Sequence, residues 1–371
     1  MKNIITISGE PASGKGTVVN YLKKYYEENG YNVHVISVGH LFREISLEMY
    51  KKQHPEIPNP TIEQVNNDES FAEKRKEIDL NLDSYIAQKG REVNEHAKDD
   101  EVYIFDSRLA FSNVENSFAV RLTVNEKIAG ERVFNDTTRG KEDKYENVEQ
   151  ATESTRKRKE GEISRYKQRY GVDLTDEDNY NLIINTTFAE PEEITEVITK
   201  CLELKKENKP YGKTWASPKW FLPLQGIRET DAPGGMGIDL YALEDIIKEE
   251  GYRYDKPISV IQVDGFYYII EGHHRNFAVG ELGKTLIPYY VMARDDEIIA
   301  EYGHTARERV SPLVRDENRQ SYLSRMVYDH EELFPKVEEN GRKRPYYYAD
   351  IYGSYPKIIS KEQKEKDNDE R

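Results

Sequence analysis

The chain is poor in cysteine and in long apolar segments. Its 371 residues include one cysteine, Cys201, so no disulfide can form within the chain. No apolar run approaches the roughly 20 residues that a membrane-spanning helix needs, and the N-terminal residues lack the apolar core of a secretory signal. We therefore expect a protein of the reducing cytoplasm that makes no contact with a membrane.

The chain also lacks an excess of positive charge. It has 54 lysines and arginines against 69 acidic residues, a formal net charge of −15. This balance argues against nucleic acid as a partner, because non-specific binding to phosphate backbones depends on positive charge. Residues 342–357 do interleave basic and aromatic side chains, a pattern found in single-strand binders. The net charge favours a tyrosine-rich arm that packs on protein instead.

Short apolar runs alternate with polar, helical stretches in the first half of the chain. Strand, loop, helix and strand within a few dozen residues predict a parallel sheet with helices on both faces, an α/β fold. The polar stretch 45–76 predicts a helical excursion with a loop, and the charged stretch 126–170 predicts a helical lid. The predicted strands lie at residues 3–8, 33–39, 102–108, 118–124 and 181–187.

Length and composition predict more than one domain, because domain sizes cluster around roughly 100–150 residues. We expect a first domain at 1–206 and a proline- and lysine-bearing linker at 207–218. A smaller α+β domain follows at 219–335, with two short strands around Val263-Asp264-Gly265 and a helical extension at 296–334. Residues 336–371 form the tyrosine-rich arm and a solvated, highly charged tail.

The segment Gly9-Glu-Pro-Ala-Ser-Gly-Lys-Gly-Thr17 follows the first predicted strand and opens the first predicted helix. Glycines at these positions let backbone amides approach a phosphate group, while the helix N-terminus and Lys15 supply positive charge. The segment therefore predicts a phosphate-binding loop for a nucleoside triphosphate. Its members are Gly9, Ser13, Gly14, Lys15, Gly16 and Thr17.

Residues 1–204 resemble the cytidylate kinase family, especially its compact archaeal-type branch. The resemblance rests on five ordered blocks, of which the phosphate loop with its GKGT ending is the first. The others are SVGHLFRE at 37–44, EIDLNLD at 77–83, FDSRLA at 105–110, and the stretch 153–186 with RYKQRYGVD and NLIINT. The resemblance implies a P-loop nucleoside-monophosphate kinase fold that uses ATP and Mg²⁺.

The family resemblance also implies roles for individual residues. Phosphoryl transfer depends mainly on positioning and on charge stabilisation, which explains the many arginines. The acceptor monophosphate would contact Arg43 and Arg108, and Asp79 would contact its base or sugar. The residues implied in catalysis are Lys15, Asp106, Arg158 and Arg165, with Asp106 and Thr17 as magnesium ligands. Arg132 and Arg139 would lie near the lid, and Arg132 would stack on adenine.

The identity of the acceptor stays open. Val38, His40, Ser107 and Leu109 depart from residues that some relatives use around the base, so CMP, dCMP and UMP are all candidates. Solvated, paired charges on a helix are an alternative interpretation of the lid arginines, because residues 153–169 contain both signs.

Residues 221–295 resemble the N-terminal domain of ParB, a fold shared with sulfiredoxin and free serine kinases. The resemblance implies a nucleotide- or phosphate-binding loop at Glu271-Gly272-His273-His274-Arg275. The histidine pair departs from the Glu-Arg-Arg of ParB, and sulfiredoxin's reactive cysteine is missing. Similarity to the serine kinase branch implies Glu229 as a candidate base toward a small hydroxyl.

The leading hypothesis is therefore a nucleoside-monophosphate kinase fused to a ParB-like module that binds a second nucleotide or phosphorylated ligand. One alternative is a kinase for a small hydroxyl metabolite such as free serine, with the second domain catalytic. Another is a nucleotide-switched regulator that binds a partner or DNA. A third is a pair of domains in which one makes a nucleotide that the other senses or consumes.

Overall fold

The computed structural model describes residues 2–136, 145–224, 240–314, 336–339 and 342–345. The chain divides into two compact units. The first comprises Met1–Thr187 and Ile194–Lys206, and the second comprises Phe188–Glu193 and the chain from Glu207 onward.

The first unit is built on a five-stranded sheet in the order β2-β3-β1-β4-β5, and every neighbouring pair is parallel. The central strands are apolar on both faces because helices cover both, as expected for a parallel sheet. All five predicted strands are confirmed. Their bounds are β1 Asn3–Gly9, β2 Asn32–Ser37, β3 Glu101–Asp106, β4 Phe118–Thr123 and β5 Leu182–Asn185.

Eight α-helices connect or flank these strands within the described residues up to Lys206. Helix α1 follows β1 through the glycine-rich loop, and its residues Val18, Val19, Leu22 and Tyr26 are buried. This spacing of three and four residues places the apolar side chains on one helix face. The helices are α1 Lys15–Glu28, α2 Val38–Gln53, α3 Ile62–Asn67, α4 Ala72–His96, α5 Ala110–Asn113, α6 Glu126–Asn135, α7 Val148–Tyr170 and α8 Pro191–Lys206.

The polar excursion at 45–76 has a small core of its own. Phe71 is fully buried among Tyr50, Val65, Ile78 and Leu82, which come from α2, α3 and α4. Helix α3 begins with a capping box, in which Thr61 and Gln64 satisfy each other's backbone amides. The predicted helical excursion is confirmed, and Arg43 on α2 and Asp79 on α4 lie just before and just after it.

The charged stretch 126–170 is mainly helical in its described part, in α6 and α7. Asn125 caps α6 and Asn147 caps α7, and Gly171 ends α7 in a left-handed conformation with φ 67°. Gly130 of α6 allows a close approach to Thr152 of α7, where a Cβ would lie 2.0 Å from the threonine Oγ1. The two helices therefore pack as one element, which we call the lid.

The second unit contains another sheet, in the order β6-β10-β8-β9-β7. Strands β8 and β9 form the predicted hairpin, and Asp264 and Gly265 at its turn both have positive φ. Strand β10 runs parallel to β8 and antiparallel to β6, while β7 runs parallel to β9. The bounds are β6 Thr214–Ala216, β7 Phe221–Pro223, β8 Ile258–Val263, β9 Phe266–Glu271 and β10 Ile287–Arg294.

The described part of the second unit also contains three α-helices and a short pair of strands. The helices are α9 Leu240–Glu250, α10 His273–Glu281 and α11 Ala306–Val314, and the strands are β11 Ile298–Ile299 and β12 His304–Thr305. The expected linker at 207–218 differs from the structure, because β6 within it bonds to β10. The expected helical stretch at 296–334 likewise begins with a strand pair.

The final described elements are β13 Lys336–Glu339 and β14 Arg342–Pro345, which pair antiparallel. The rest of the expected arm and tail lies outside the described residues. Within the described part of the chain, no helix is both long and apolar enough to cross a bilayer.

Candidate active site

The glycine-rich loop between β1 and α1 has an open geometry suited to an anion. Gly14 precedes α1 in a left-handed conformation, with φ 79° and no side-chain cap on the helix. The space where a Cβ of Gly14 would lie is empty to 4 Å. At Gly9 a Cβ would lie 2.6 Å from Ser13 Oγ, so the loop can fold over itself only with glycine there. The first amides of α1 are therefore free of a competing side-chain cap.

Ser13 is buried inside this loop at 1% exposure, yet its Oγ has no hydrogen-bond partner among the described residues. A buried hydroxyl without a partner is costly and is normally retained for a reason. The hydroxyl and the uncapped amides together fit a triphosphate, whose oxygens accept hydrogen bonds.

Lys15, Asp106 and Ser37 meet where β1, β2 and β3 end. The carboxyl ends of parallel strands converge on one edge of the sheet, which explains the meeting of residues distant in sequence. Lys15 Nζ forms an ion pair with Asp106 Oδ1, and Ser37 Oγ donates to Asp106 Oδ2 over 2.8 Å. Burial lowers the pKa of Lys15, and the Asp106 carboxylate opposes that change.

Asp106 and Thr17 carry the oxygen ligands that Mg²⁺ prefers. Thr17 lies exposed in the first turn of α1. Across the described ranges, no three His, Cys, Asp or Glu side chains cluster closely enough to hold a metal ion. This arrangement fits Mg²⁺ bound through one carboxylate, a hydroxyl and substrate phosphates, because magnesium seldom uses a cage made only of protein groups.

Arg108 and Arg158 converge on Glu162 of the lid. Arg108 Nε lies 2.6 Å from Glu162 Oε2, and Arg158 Nε donates to Glu162 Oε1 over 3.1 Å. The structure thus brings the predicted acceptor arginine and a predicted lid arginine together on one carboxylate. Sequence reasoning missed Glu162. Its spacing of four residues from Arg158 was the available signal, since such pairs face each other on a helix.

The other predicted residues of the first unit are more dispersed. Arg43 and Arg165 are exposed on α2 and α7, and Arg165 lies over the Tyr166 ring at 5.1 Å. Asp79 accepts from Arg169 Nη1 over 3.2 Å. Gly16 is exposed beside Thr17.

Arg132 lies beneath the phosphate loop and donates to backbone oxygens. Its partners are Ala12 O at 3.1 Å and Thr186 O at 2.6 Å. Burial lowers the pKa of this guanidinium. These bonds connect the loop to the end of β5, so Arg132 stabilises the loop from its inner side. Arg139, which we expected nearby, lies outside the described residues.

In the second unit, Gly272 precedes α10 with φ 98° and without a side-chain cap. A Cβ at this position would lie 2.6 Å from Ile258 Cγ2 and 2.9 Å from Arg275 Nη2, so the space is filled. Arg275 Nη1 donates to Lys256 O over 2.6 Å and to Pro257 O over 3.0 Å. The predicted loop therefore has its arginine tied to backbone.

The two histidines of this loop occupy different surroundings. His273 is 3% exposed and accepts a hydrogen bond from Leu224 N over 3.2 Å. Burial, then the neighbouring His274 and Arg309, lower the pKa of His273 to about 4. His274 is partly exposed, and its Nε2 is buried without a partner among the described residues. Glu271 is exposed. Glu229 lies outside the described residues.

A parallel sheet, a left-handed glycine before α1, and a lysine and arginines gathered near one loop define the first unit as a P-loop phosphotransferase. The chain belongs to the cytidylate kinase-like family, whose model matches residues 4–188.

Individual relatives support this assignment. A cytidylate kinase of Methanocella arvoryzae is 31% identical over 206 residues, which cover 55% of this chain and 99% of that protein. A cytidylate kinase of Sulfurisphaera tokodaii is 29% identical over 206 residues, covering 53% of this chain and 92% of that protein. An S-adenosylmethionine-dependent nucleotide dehydratase of Lacinutrix mariniflava is 29% identical over 199 residues, covering 53% of this chain but 35% of that protein.

Proposed function

We propose that the first unit transfers the γ-phosphoryl group of ATP to a pyrimidine nucleoside monophosphate, with CMP and dCMP as the leading acceptors and UMP as the next. The observation that carries this proposal is the triad of Lys15, Asp106 and Ser37 at the mouth of an uncapped phosphate loop. The family relationship selects a monophosphate as the acceptor.

Donor phosphates would bind to the amides at the start of α1 and to Ser13 Oγ. Lys15 would then exchange its partner Asp106 for phosphate oxygens, because both are anions that accept charge-assisted hydrogen bonds. Mg²⁺, held by Thr17 and Asp106 through oxygen ligands, would neutralise charge on the donor phosphates.

Arg108 and Arg158 would position the acceptor and the transferring group. Both guanidiniums now bind the carboxylate of Glu162, so they already converge on one anionic group. A phosphate placed there would meet preoriented donors, which is how electrostatic stabilisation contributes most to such reactions. Arg165 and the exposed Arg43 would complete the acceptor site, and Asp79 would contact the base or sugar.

The test is a panel of monophosphates and ATP with Mg²⁺, in which both ADP and the nucleoside diphosphate are quantified. The proposal predicts equal amounts of ADP and a pyrimidine diphosphate, and it predicts that Lys15→Ala abolishes both. Release of ADP that only free serine or another hydroxyl metabolite stimulates would instead support the second unit as the catalytic one.

We also propose that the second unit is ParB-like and binds a second nucleotide or phosphorylated ligand at residues 271–275. The supporting features are the β8–β9 hairpin, the left-handed Gly272, the uncapped start of α10 and the unpartnered Nε2 of His274. Isothermal titration of the Lys15→Ala variant with ATP and with CTP tests this proposal. We expect the Lys15→Ala variant to bind nucleotide at one site, in the second unit, and we expect the additional substitution His274→Ala to remove that site. Absence of binding heat in the Lys15→Ala variant would contradict the proposed site in the second unit.

A further inference from the structure

Glu10 is a largely buried carboxylate at the start of the loop that is proposed to receive a triphosphate. Its side chain is 12% exposed. An isolated anion there would repel phosphate and would itself be costly to bury, so it requires compensation. The groups that contact the Glu10 carboxylate therefore indicate its role.

Three donors from two elements hold this carboxylate. Arg121 Nη2 of β4 lies 3.3 Å from Glu10 Oε1, and the amide of Val124 donates to Oε2 over 3.3 Å. The third partner is Lys159 of the lid, whose Nζ lies 3.2 Å from Oε1. Glu10 thus connects the phosphate loop to the sheet on one side and to the lid on the other.

The two cationic partners differ in how firmly they are held. Arg121 is also bound to Thr175 O over 3.2 Å and lies over the Tyr180 ring at 5.7 Å. Lys159 is 28% exposed, and its second partner is Glu126, at 3.8 Å. When Lys159 leaves, Arg121 still neutralises Glu10, so the lid can detach without stranding a buried charge.

Lys159 also lies at an informative position on α7. It follows Arg158 directly and precedes Glu162 by three residues, and both of these belong to the cluster around Arg108. Contact between Lys159 and Glu10 consequently brings the turn of α7 that carries Arg158 and Glu162 next to the phosphate loop.

We propose that Glu10 and Lys159 form a latch that holds the lid against the phosphate loop, so that Lys159 is a positioning residue acting through Glu10. The inference rests on the proposed function, since it assigns the latch to the same nucleotide site. Because lid closure and nucleotide binding favour the same state, loss of the latch should weaken nucleotide binding.

The experiment is isothermal titration of the full chain with the non-hydrolysable analogue AMP-PNP and Mg²⁺. Lys159→Met should weaken binding about fivefold, the low end of typical coupling between linked sites. Lys159→Arg should retain wild-type affinity. The matched control is Lys157→Met, which removes an exposed lysine that pairs with Glu153 on the same helix and should leave affinity unchanged.

A double-mutant cycle separates a latch from direct phosphate binding by Lys159. In a Glu10→Gln background, Lys159→Met should have no further effect. The inference is overturned if Lys159→Met binds AMP-PNP as tightly as Lys157→Met, or if its effect persists in the Glu10→Gln background. AMP-PNP binding requires no acceptor. A chain that binds AMP-PNP but phosphorylates no monophosphate would thus contradict the proposed function while leaving the latch directly measurable.

Discussion

Two loops in the described part of the chain have a left-handed glycine before a helix, and their cations are held in opposite ways. In the first unit, Lys15 and Arg108 pair with the carboxylates of Asp106 and Glu162. In the second unit, Arg275 donates to two backbone carbonyls. A phosphate oxygen can replace a carboxylate as the partner of a cation, whereas Arg275 would have to give up two backbone acceptors to bind a phosphate.

The space around the two glycines also favours phosphate binding at the first loop over the second. Beside Gly14 the position of a Cβ is open, but beside Gly272 it is filled by Ile258 and by Arg275 itself. The first loop can therefore admit phosphate as it stands, while the second must release Arg275 or use only the amides of α10 and His274. We expect the first loop to bind nucleotide more tightly than the second.

The largest expected effect is at Lys15. Lys15→Ala should lower kcat by at least about 10³-fold and so abolish measurable transfer, since removal of one preorganised donor to transition-state charge alone has effects of this size. Arg275→Ala should leave kcat unchanged, because its partners are carbonyls of the other unit. Steady-state ADP release measures both variants. Equal losses of phosphoryl transfer in the two variants would contradict the difference between the two loops.

The next effect concerns the pH dependence of the second unit. The folded-state pKa of His273 is about 4, below the usual value of about 6.5 in an unfolded chain. Between these values the unfolded chain binds more protons, so His273 contributes stability that is fully present above pH 6.5 and is lost as pH falls toward 4. The loss of stability should be about 3 kcal/mol in full, of which about 2 kcal/mol should appear between pH 7 and pH 5.

His273→Gln keeps an acceptor for Leu224 N and should remove that part of the pH dependence. Both tryptophans, Trp215 and Trp220, are buried in the second unit. Urea unfolding followed by tryptophan fluorescence at pH 7 and pH 5 therefore reports on this unit. If the free energy of unfolding depends on pH equally in the variant and in the wild type, His273 is not the group responsible.

A smaller effect is expected for the acceptor site. Arg108→Ala should lower kcat/KM for the monophosphate by about 10²-fold and should change ATP affinity little, because Arg108 is expected to contact the acceptor. Arg156→Ala is the control, since Arg156 pairs with Glu153 and Glu160 along the lid. Equal losses in both variants would show that lid charge, rather than the position of Arg108, governs the reaction.

The smallest effect is a difference in stability between two glycines of the second unit. Gly272→Ala combines a left-handed φ with a contact at 2.6 Å from Ile258 and should destabilise this unit by about 2 kcal/mol. Gly283→Ala has φ 69° but open space, and it should cost about 1 kcal/mol. Tryptophan-monitored unfolding compares them, and equal midpoints would contradict the close packing around Gly272.

The sequence predicted the strands of the first unit and its phosphate loop because both depend on local pattern: apolar runs, glycine spacing and a following amphipathic helix. It also led to Asp106 and Lys15 through motifs at strand ends. It did not reveal that Glu162 joins Arg108 to Arg158, or that Glu10 joins β4 to the lid. The spacing of four residues signals the pair of Arg158 with Glu162. The contacts of Glu162 with Arg108 and of Glu10 with the lid depend instead on how α7 packs across the sheet edge, and one sequence contains no signal for those distant pairings.

In the second unit, the sequence pattern predicted the hairpin but not β6, which has three residues and lies in a proline-bearing segment. The pattern of a glycine followed by a basic residue at a helix start was the same in both units. The partner of the basic residue separates them, because it is the Asp106 carboxylate in the first unit and a pair of backbone carbonyls, of Lys256 and Pro257, in the second.

The most direct test of the central claim is the product analysis of a reaction containing ATP, Mg²⁺ and CMP or dCMP, resolved by chromatography. The account predicts that ADP and the pyrimidine nucleoside diphosphate form in equal amounts, and that neither forms with Lys15→Ala. ADP formed without any nucleoside diphosphate from CMP, dCMP or UMP, or transfer that survives in Lys15→Ala and disappears in Arg275→Ala, would contradict it.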